Sequence, residues 1–197
     1  MIKILKNDGV ELPTFATPGS VGFDLKGISL LKVFNGIKEI PLERFQRSLD
    51  QGFFILRPFE RALVGTGIKM ELPPELWVKI QPKSGNSLKK GILVYEGTID
   101  SDYRGEVGIV IQNSSNYMMR IDLGTYLAQG VLYHSIQDQF VWADELSDSE
   151  RGEGGFGSTG RNAADIGAKV HEEVAKQLDD HSTDMDIVQP LLDNYGE

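Results

Sequence analysis

Between about Phe53 and Val141 apolar residues recur in short period-two runs, broken by Gly, Pro, Asn and Asp, and this rhythm predicts antiparallel strands closed into a sandwich or barrel. In Val107-Gly108-Ile109-Val110-Ile111, the residues Val107, Ile109 and Ile111 share one strand face, and Val78 and Ile80 do the same beside Trp77. Such half-buried positions read as plain core. Helix has little room in this stretch.

Two segments depart from the alternation. Residues 27–52 form an insertion in which Pro41-Leu42-Glu43-Arg44-Phe45-Gln46-Arg47-Ser48-Leu49 sets Leu42, Phe45 and Leu49 at helical spacing, behind a proline suited to a first turn. A short helical insertion is therefore expected. Beyond Gly160, Ile166, Val170, Val174 and Leu178 fall at successive i+4 positions between charged residues, which predicts a helix over about 163–179 with one apolar stripe. The rest, acidic from His181 to Asp186 and briefly apolar from Ile187 to Leu192, reads as a tail.

The 197 residues, 40% hydrophobic and 25% charged, suit one globular domain with appendages. A net charge of −9 argues against a sequence-independent grip on nucleic acid, so any phosphate ligand needs a local site. The absence of cysteine excludes disulfides, thiolate metal sites and cysteine nucleophiles, and His134, His171 and His181 have no metal-ligand spacing. Met1 to Lys6 lacks the apolar run of a signal peptide and no stretch approaches the roughly 20 apolar residues of a membrane helix, so a cytoplasmic protein without membrane contact is expected.

The strongest chemical signal is Arg151-Gly152-Glu153-Gly154-Gly155-Phe156-Gly157-Ser158-Thr159-Gly160, in which five glycines surround one aromatic and two hydroxyls. Glycines let backbone N–H groups approach phosphate oxygens, Ser158 and Thr159 add donors, Arg151 adds charge, and Phe156 is free to stack on a flat ring. Without a Walker lysine it is not a P-loop, and the bland alternative is a glycine linker. Gly97-Thr98-Ile99-Asp100-Ser101-Asp102-Tyr103-Arg104-Gly105 reads as a hairpin turning into the next strand, with a carboxylate placed to take a proton from water. In isolation an Asp-x-Asp turn is more often a local cap for backbone N–H groups. Gln81 to Gly91 pairs cations with hydroxyls around a glycine, as many surface loops do. Ala16 to Leu25 enters a strand with one acid, Asp24, and Gly124-Thr125-Tyr126-Leu127-Ala128-Gln129 enters another with one amide. Each of these two, taken singly, reads as structural.

In this order the five segments, spanning Ala16 to about Arg161, resemble the five motifs of the trimeric dUTPases. The resemblance implies an all-β, jelly-roll-like fold assembled as a homotrimer, with residues 1–161 as the dUTPase domain, 151–161 as a glycine-rich arm closing over a neighbour's site, and 162–197 as a helical extension. It implies hydrolysis of dUTP to dUMP and pyrophosphate, which keeps uracil out of DNA and supplies dUMP. By similarity Asp100 is the general base for water attacking the α-phosphorus. Tyr103 would pack on the deoxyribose and exclude a 2′-hydroxyl. Gly97, Thr98 and Ile99, with Gly108 opposite, would read the uracil edge. Lys83, Ser84, Gly85 and Gln129 would contact the phosphates, and from the arm Arg151 would pair with the phosphate chain, Phe156 stack on uracil, and Gly157, Ser158 and Thr159 cradle the γ-phosphate. Mg²⁺ would be held by phosphates and waters with no direct protein ligand, Asp24 serving as an outer-shell acid.

Lys83 replaces the family's usual arginine, Asn86 and Gly130 replace apolar residues, and Val21 replaces alanine. The insertion and the extension lie outside the family's common pattern, and neither has a family role that carries over. Two alternatives remain beside the hydrolase: a dCTP deaminase of the same fold, and a regulatory protein that engages a partner through its insertion or tail, a reading favoured by phage-encoded relatives with insertions.

Overall fold

In chain order the strands are β1 (Lys3–Lys6), β2 (Gly22–Gly27), β3 (Ser29–Asn35), β4 (Lys38–Ile40), β5 (Phe53–Leu56), β6 (Arg61–Glu71), β7 (Leu76–Pro82), β8 (Ile92–Val94), β9 (Gly97–Ile99), β10 (Glu106–Asn113), β11 (Met119–Asp122) and β12 (Thr125–His134). A 3₁₀ turn at Leu42–Phe45 runs into α1 (Gln46–Leu49), and α2 covers Ser84–Lys90. The computed structural model describes residues 1–154 apart from position 8, so the helix expected over 163–179 and the tail lie outside the described residues. The chain divides into two compact units, Met1–Gln139 and Phe140–Glu197.

Within the first unit one sheet runs β4-β3-β6-β10-β8, with β1 also paired to β6, a second runs β2-β12-β7-β9, and β5 and β11 form a two-stranded ribbon. Every pairing is antiparallel. One apolar cluster draws on all of them, with Phe54, Leu56, Val64, Val78, Ile80, Val107, Ile109 and Ile111 sealed from solvent, so the all-β expectation and the strand faces read from period two both hold. Full burial of each such side chain contributes on the order of 1.5–3 kcal/mol.

A bulge at the middle of β6 shapes the two central strands. Gly67 takes φ +71°, and the β6–β10 register slips between Glu106 and Gly108. The groups this frees are answered locally: Glu106 accepts the Gly67 N–H at 2.7 Å, and the buried Thr66 hydroxyl donates to the Val107 carbonyl at 2.6 Å. A buried donor or acceptor left unanswered costs about 1–3 kcal/mol, so these side chains belong to the bulge as much as its backbone does.

The helical reading of the insertion is correct only for its second half. Leu42 to Leu49 does turn helically, but Ser29 to Ile40 is a β-hairpin whose first strand joins the main sheet against β6. The β3–β6 register shifts between Leu30 and Lys32, so only Leu30 and Val33 are buried in β3 and the two-residue rhythm is erased. Helix α2 is a second departure, inside the stretch expected to be free of helix.

The helical half is fastened by Glu60, whose side chain is 0% exposed. Both its carboxylate oxygens accept from Arg44, at 2.7 and 3.1 Å, and one also accepts the Arg57 N–H at 2.8 Å. Burial pushes this carboxyl upward, but the Arg44 hydrogen bonds, the Arg57 N–H and the two guanidinium charges outweigh it and hold it below the usual range. Arg44→Ala strands the carboxylate and is expected to destabilise the protein by about 3–5 kcal/mol at neutral pH in urea unfolding. Because the folded-state value is depressed, the stabilisation is complete above the ordinary Glu range and fades as pH falls through the lowered value. The gap between wild type and variant therefore narrows below roughly pH 4. A gap that widened in acid would contradict this account.

Candidate active site

Strand β12 sits between β2 and β7, and Gln129 stands in register with Asp24 on one side and Gln81 on the other. The Gln129 amide donates to the Pro82 carbonyl at 3.2 Å. Gly22 makes room for it, since a Cβ there would lie 2.6 Å from the Gln129 Oε1. Lys83 follows directly and forms the N-cap of α2, and its ammonium is ion-paired with Asp24. Asn86 and Ser87 donate their N–H groups to the Lys83 carbonyl, which leaves the amides of Ser84 and Gly85 in the first turn without helical partners. Outside its own turn of helix, nothing lies within 4 Å of a Cβ built on Gly85. Lys83, Ser84, Gly85, Asn86 and Gln129 thus line an open hollow of about 210 Å³ with cationic, amide and hydroxyl donors, which suits an anion.

The segment from Gln81 to Gly91 is more ordered than the surface loop it resembles in sequence. Asn86 is buried and its amide donates to the Tyr126 and Leu127 carbonyls at 2.8 and 3.3 Å, where the β12–β2 register shifts. The polar residue in place of an apolar one is therefore a brace between α2 and β12. Gly130 lies beneath the Phe23 ring, whose Cε2 would be 2.6 Å from a Cβ at that position, so the volume missing from one strand is supplied by the next. Val21 is 77% exposed and disturbs no packing.

The second cluster is the turn after β9. Tyr103 donates its N–H to the Asp100 carbonyl at 3.2 Å, and the Arg104 guanidinium donates to the carbonyls of Ser101 and Tyr103 at 2.7 and 3.0 Å. The Tyr103 hydroxyl donates to the Glu106 carbonyl at 3.1 Å, and its ring occupies the space a side chain at Gly105 would need. None of these bonds engages the Asp100 carboxylate, which is exposed. With Thr98, Ser101 and Asp102 it borders a hollow of about 600 Å³ backed by Trp77, itself stacked on Tyr133 at 4.8 Å. Sequence reasoning missed Arg104, Gly105, Gly22 and Asn86 as supports, because their roles depend on contacts that no spacing reveals.

The hairpin expected here is present in part. β8 pairs with β10 and the Tyr95 N–H reaches the Val110 carbonyl at 2.9 Å, a register that, continued, sets Gly97 across from Gly108. At that point the ladder opens, because Gly97 to Ile99 pairs with β7 instead. Gly97 and Gly108 therefore flank the point where β9 and β10 part.

One chain does not bring all these residues together. Ile99 pairs with Val78 near the start of β7, whereas Lys83 follows its end, so at about 3.3 Å per residue the two clusters stand on the order of 15–20 Å apart along the strand. In the second unit Arg151 donates from Nε to the Gly154 carbonyl at 2.7 Å, and Gly152 N–H bonds the Ser149 hydroxyl at 3.0 Å. Phe156, Gly157, Ser158 and Thr159 lie outside the described residues.

Residues 51–160 match the family model described as dUTPase. The chain is 36% identical to the deoxyuridine 5′-triphosphate nucleotidohydrolase of Fusobacterium nucleatum, over 81% of this chain and 97% of the relative. With the protein of that name from Bdellovibrio bacteriovorus it shares 40%, over 81% and 95%. In fold it is similar to the dUTPase of Staphylococcus bacteriophage 80alpha solved with dUpNHpp, with a TM-score of 0.64 and 22% identity over 80% of this chain and 97% of that one. The dUTPase of phage phi11 of S. aureus is similar at a TM-score of 0.59 and 17% identity, over 76% and 99%. The family model over residues 51–160, joined to a match over 81% of this chain and at least 95% of the two nucleotidohydrolases, means that the chain belongs to the dUTPase family.

Proposed function

We propose that this protein hydrolyses dUTP to dUMP and pyrophosphate, with each site assembled from more than one copy of the chain. The observation that carries the reading is the exposed Asp100 carboxylate on a turn locked by Arg104 and Tyr103. Asp100 takes a proton from water as the water oxygen bonds to the α-phosphorus, the bond from that phosphorus to the α,β-bridging oxygen breaks, and pyrophosphate leaves. Positioned general bases contribute about 10²–10⁴ in rate. The Ser84 and Gly85 amides and the Ser84 hydroxyl serve the phosphates near the breaking bond, where donors are worth most as charge develops, and Gln129 and Lys83 hold the rest of the chain.

At the other end of the substrate, the point where β9 and β10 part, between Gly97–Ile99 and Gly108, is where a uracil edge is read, by backbone donors and acceptors beside two residues without side chains. The Tyr103 ring, pinned at its hydroxyl and pressed over Gly105, is a rigid wall for a deoxyribose and leaves no room for a 2′-hydroxyl. For Arg151, Phe156, Gly157, Ser158 and Thr159, within the matched range, membership of the family implies pairing with the phosphates, stacking on the base and cradling the γ-phosphate. The single carboxylate of Asp24 beside the Gln129 amide suits hydrogen bonding to metal-bound water, so Mg²⁺ held by the phosphates fits this donor set. When bound, the ion neutralises the triphosphate charge.

A homotrimer is part of the same reading. The phosphate hollow and the Asp100 turn lie too far apart in one chain to share a substrate's reacting atoms, so a neighbour must supply one of them. An apolar face suited to that contact exists on the main sheet, where Leu93, Tyr95 and Val110 are each 38–43% exposed and Val110 stands in register with Leu63.

Two measurements check this. Asp100→Asn is expected to lower kcat for dUTP by at least about 10², with KM little changed; equal turnover would remove the base from its role. Co-refolding inactive Asp100→Asn with inactive Gln129→Ala is expected to restore up to about a quarter of wild-type activity, because random assortment then creates sites with both groups intact. If the mixture stays inactive while trimers form, the shared site is wrong.

A further inference from the structure

A lysine is a point charge on a flexible stem, whereas a guanidinium carries a planar fork that needs less holding. Lys83 is held by two neighbours. The Asp24 carboxylate pairs with its ammonium, and the ring of Tyr126 lies beneath it, 5.7 Å from Nζ to the centroid. That ring also receives Lys26, at 5.1 Å, whose own charge is met by Glu11 at 2.6 Å. The two contacts on Lys83 differ in what a substrate does to them. An arriving phosphate competes with Asp24 for the ammonium's protons, but a ring face offers no lone pair that phosphate would displace, so the aromatic contact persists.

Tyr126 is moreover fixed to the helix that Lys83 caps. Asn86, three residues on from Lys83, donates its amide to the Tyr126 carbonyl at 2.8 Å at the point where β12 slips register. Helix α2 therefore anchors the backbone of the residue whose ring faces Lys83, and the two close on each other as a latch.

We propose that Tyr126 is a positioning residue for Lys83: its ring, latched by Asn86, keeps the ammonium beside the Ser84–Gln129 hollow in both the free and the triphosphate-bound states. This rests on the reading of Lys83 as a phosphate contact. Steady-state hydrolysis of dUTP by the full-length protein tests it. Tyr126→Leu is expected to raise KM about 2- to 5-fold, as loss of a half-exposed cation–ring contact implies, with kcat changed less than about 2-fold. Tyr126→Phe, which keeps the ring, is expected to bring KM back toward the wild-type value. In a Lys83→Arg background Tyr126→Leu is expected to lose its effect on KM, because the fork positions itself. Tyr126→Met serves as a second ringless variant should the leucine variant fold poorly.

The proposal is overturned if Tyr126→Leu leaves KM unchanged, raises it equally in the Lys83→Arg background, or acts on kcat alone. It is also overturned if Tyr126→Phe is as impaired as Tyr126→Leu, which would assign the effect to the hydroxyl. Lys83→Ala separates the two levels: a raised KM there with none in Tyr126→Leu defeats only the latch, while an unchanged KM defeats the phosphate role of Lys83 and the latch with it.

Discussion

Hydrogen bonding along both edges of β7 governs where the functional groups of this protein stand. On one edge β12 carries Gln129 and, through β2, Asp24; on the other, β9 leads into the Asp100 turn. A strand bonded on both sides cannot slide by one residue without exposing Val78 and Ile80, so the spacing between the clusters is set by the same burial that stabilises the sheet. That spacing keeps the phosphate hollow and the Asp100 turn apart within one chain.

Around β7 the polar groups leave the Asp100 carboxylate unengaged, whereas Lys83 is paired with Asp24 and the Gln129 amide with the Pro82 carbonyl. In the Asp100 turn the carbonyls of Ser101 and Tyr103 are taken by Arg104 and that of Glu106 by Tyr103, while the Asp100 carboxylate is left out of the network. On the other side Asn86 and Pro82 engage backbone and amide groups, while the first amides of α2 stay open. A turn made rigid through its backbone with the Asp100 carboxylate left free is what a preorganised site needs.

Much of this was legible in the sequence, and the rest was hidden for identifiable reasons. Val107, Ile109 and Ile111 announced their strand because one of its faces is buried without interruption. β3 did not, because its bulge leaves Leu31 and Lys32 exposed side by side between buried Leu30 and Val33. Leu42, Phe45 and Leu49 kept helical spacing and were readable, whereas α2, built from Ser, Gly and Asn in its first turns, lacks both propensity and stripe and owes its place to Asn86 reaching β12. The site's residue types were visible as separate segments. Their distribution along β7 was not, since it follows from register, and the substitutions at Asn86 and Gly130 looked like defects until their partners, the β12 carbonyls and Phe23, stood beside them.

The carboxylate at position 60 ties the insertion to the core. Sealed in the interior and answered from the insertion by a single guanidinium, it turns an apparent appendage into a structural dependant of the core and the core into a dependant of the appendage. A chain without residues 41–52 would hold an interior acid with no counter-charge, so the segment cannot be cut away unless a neutral side chain takes that acid's place.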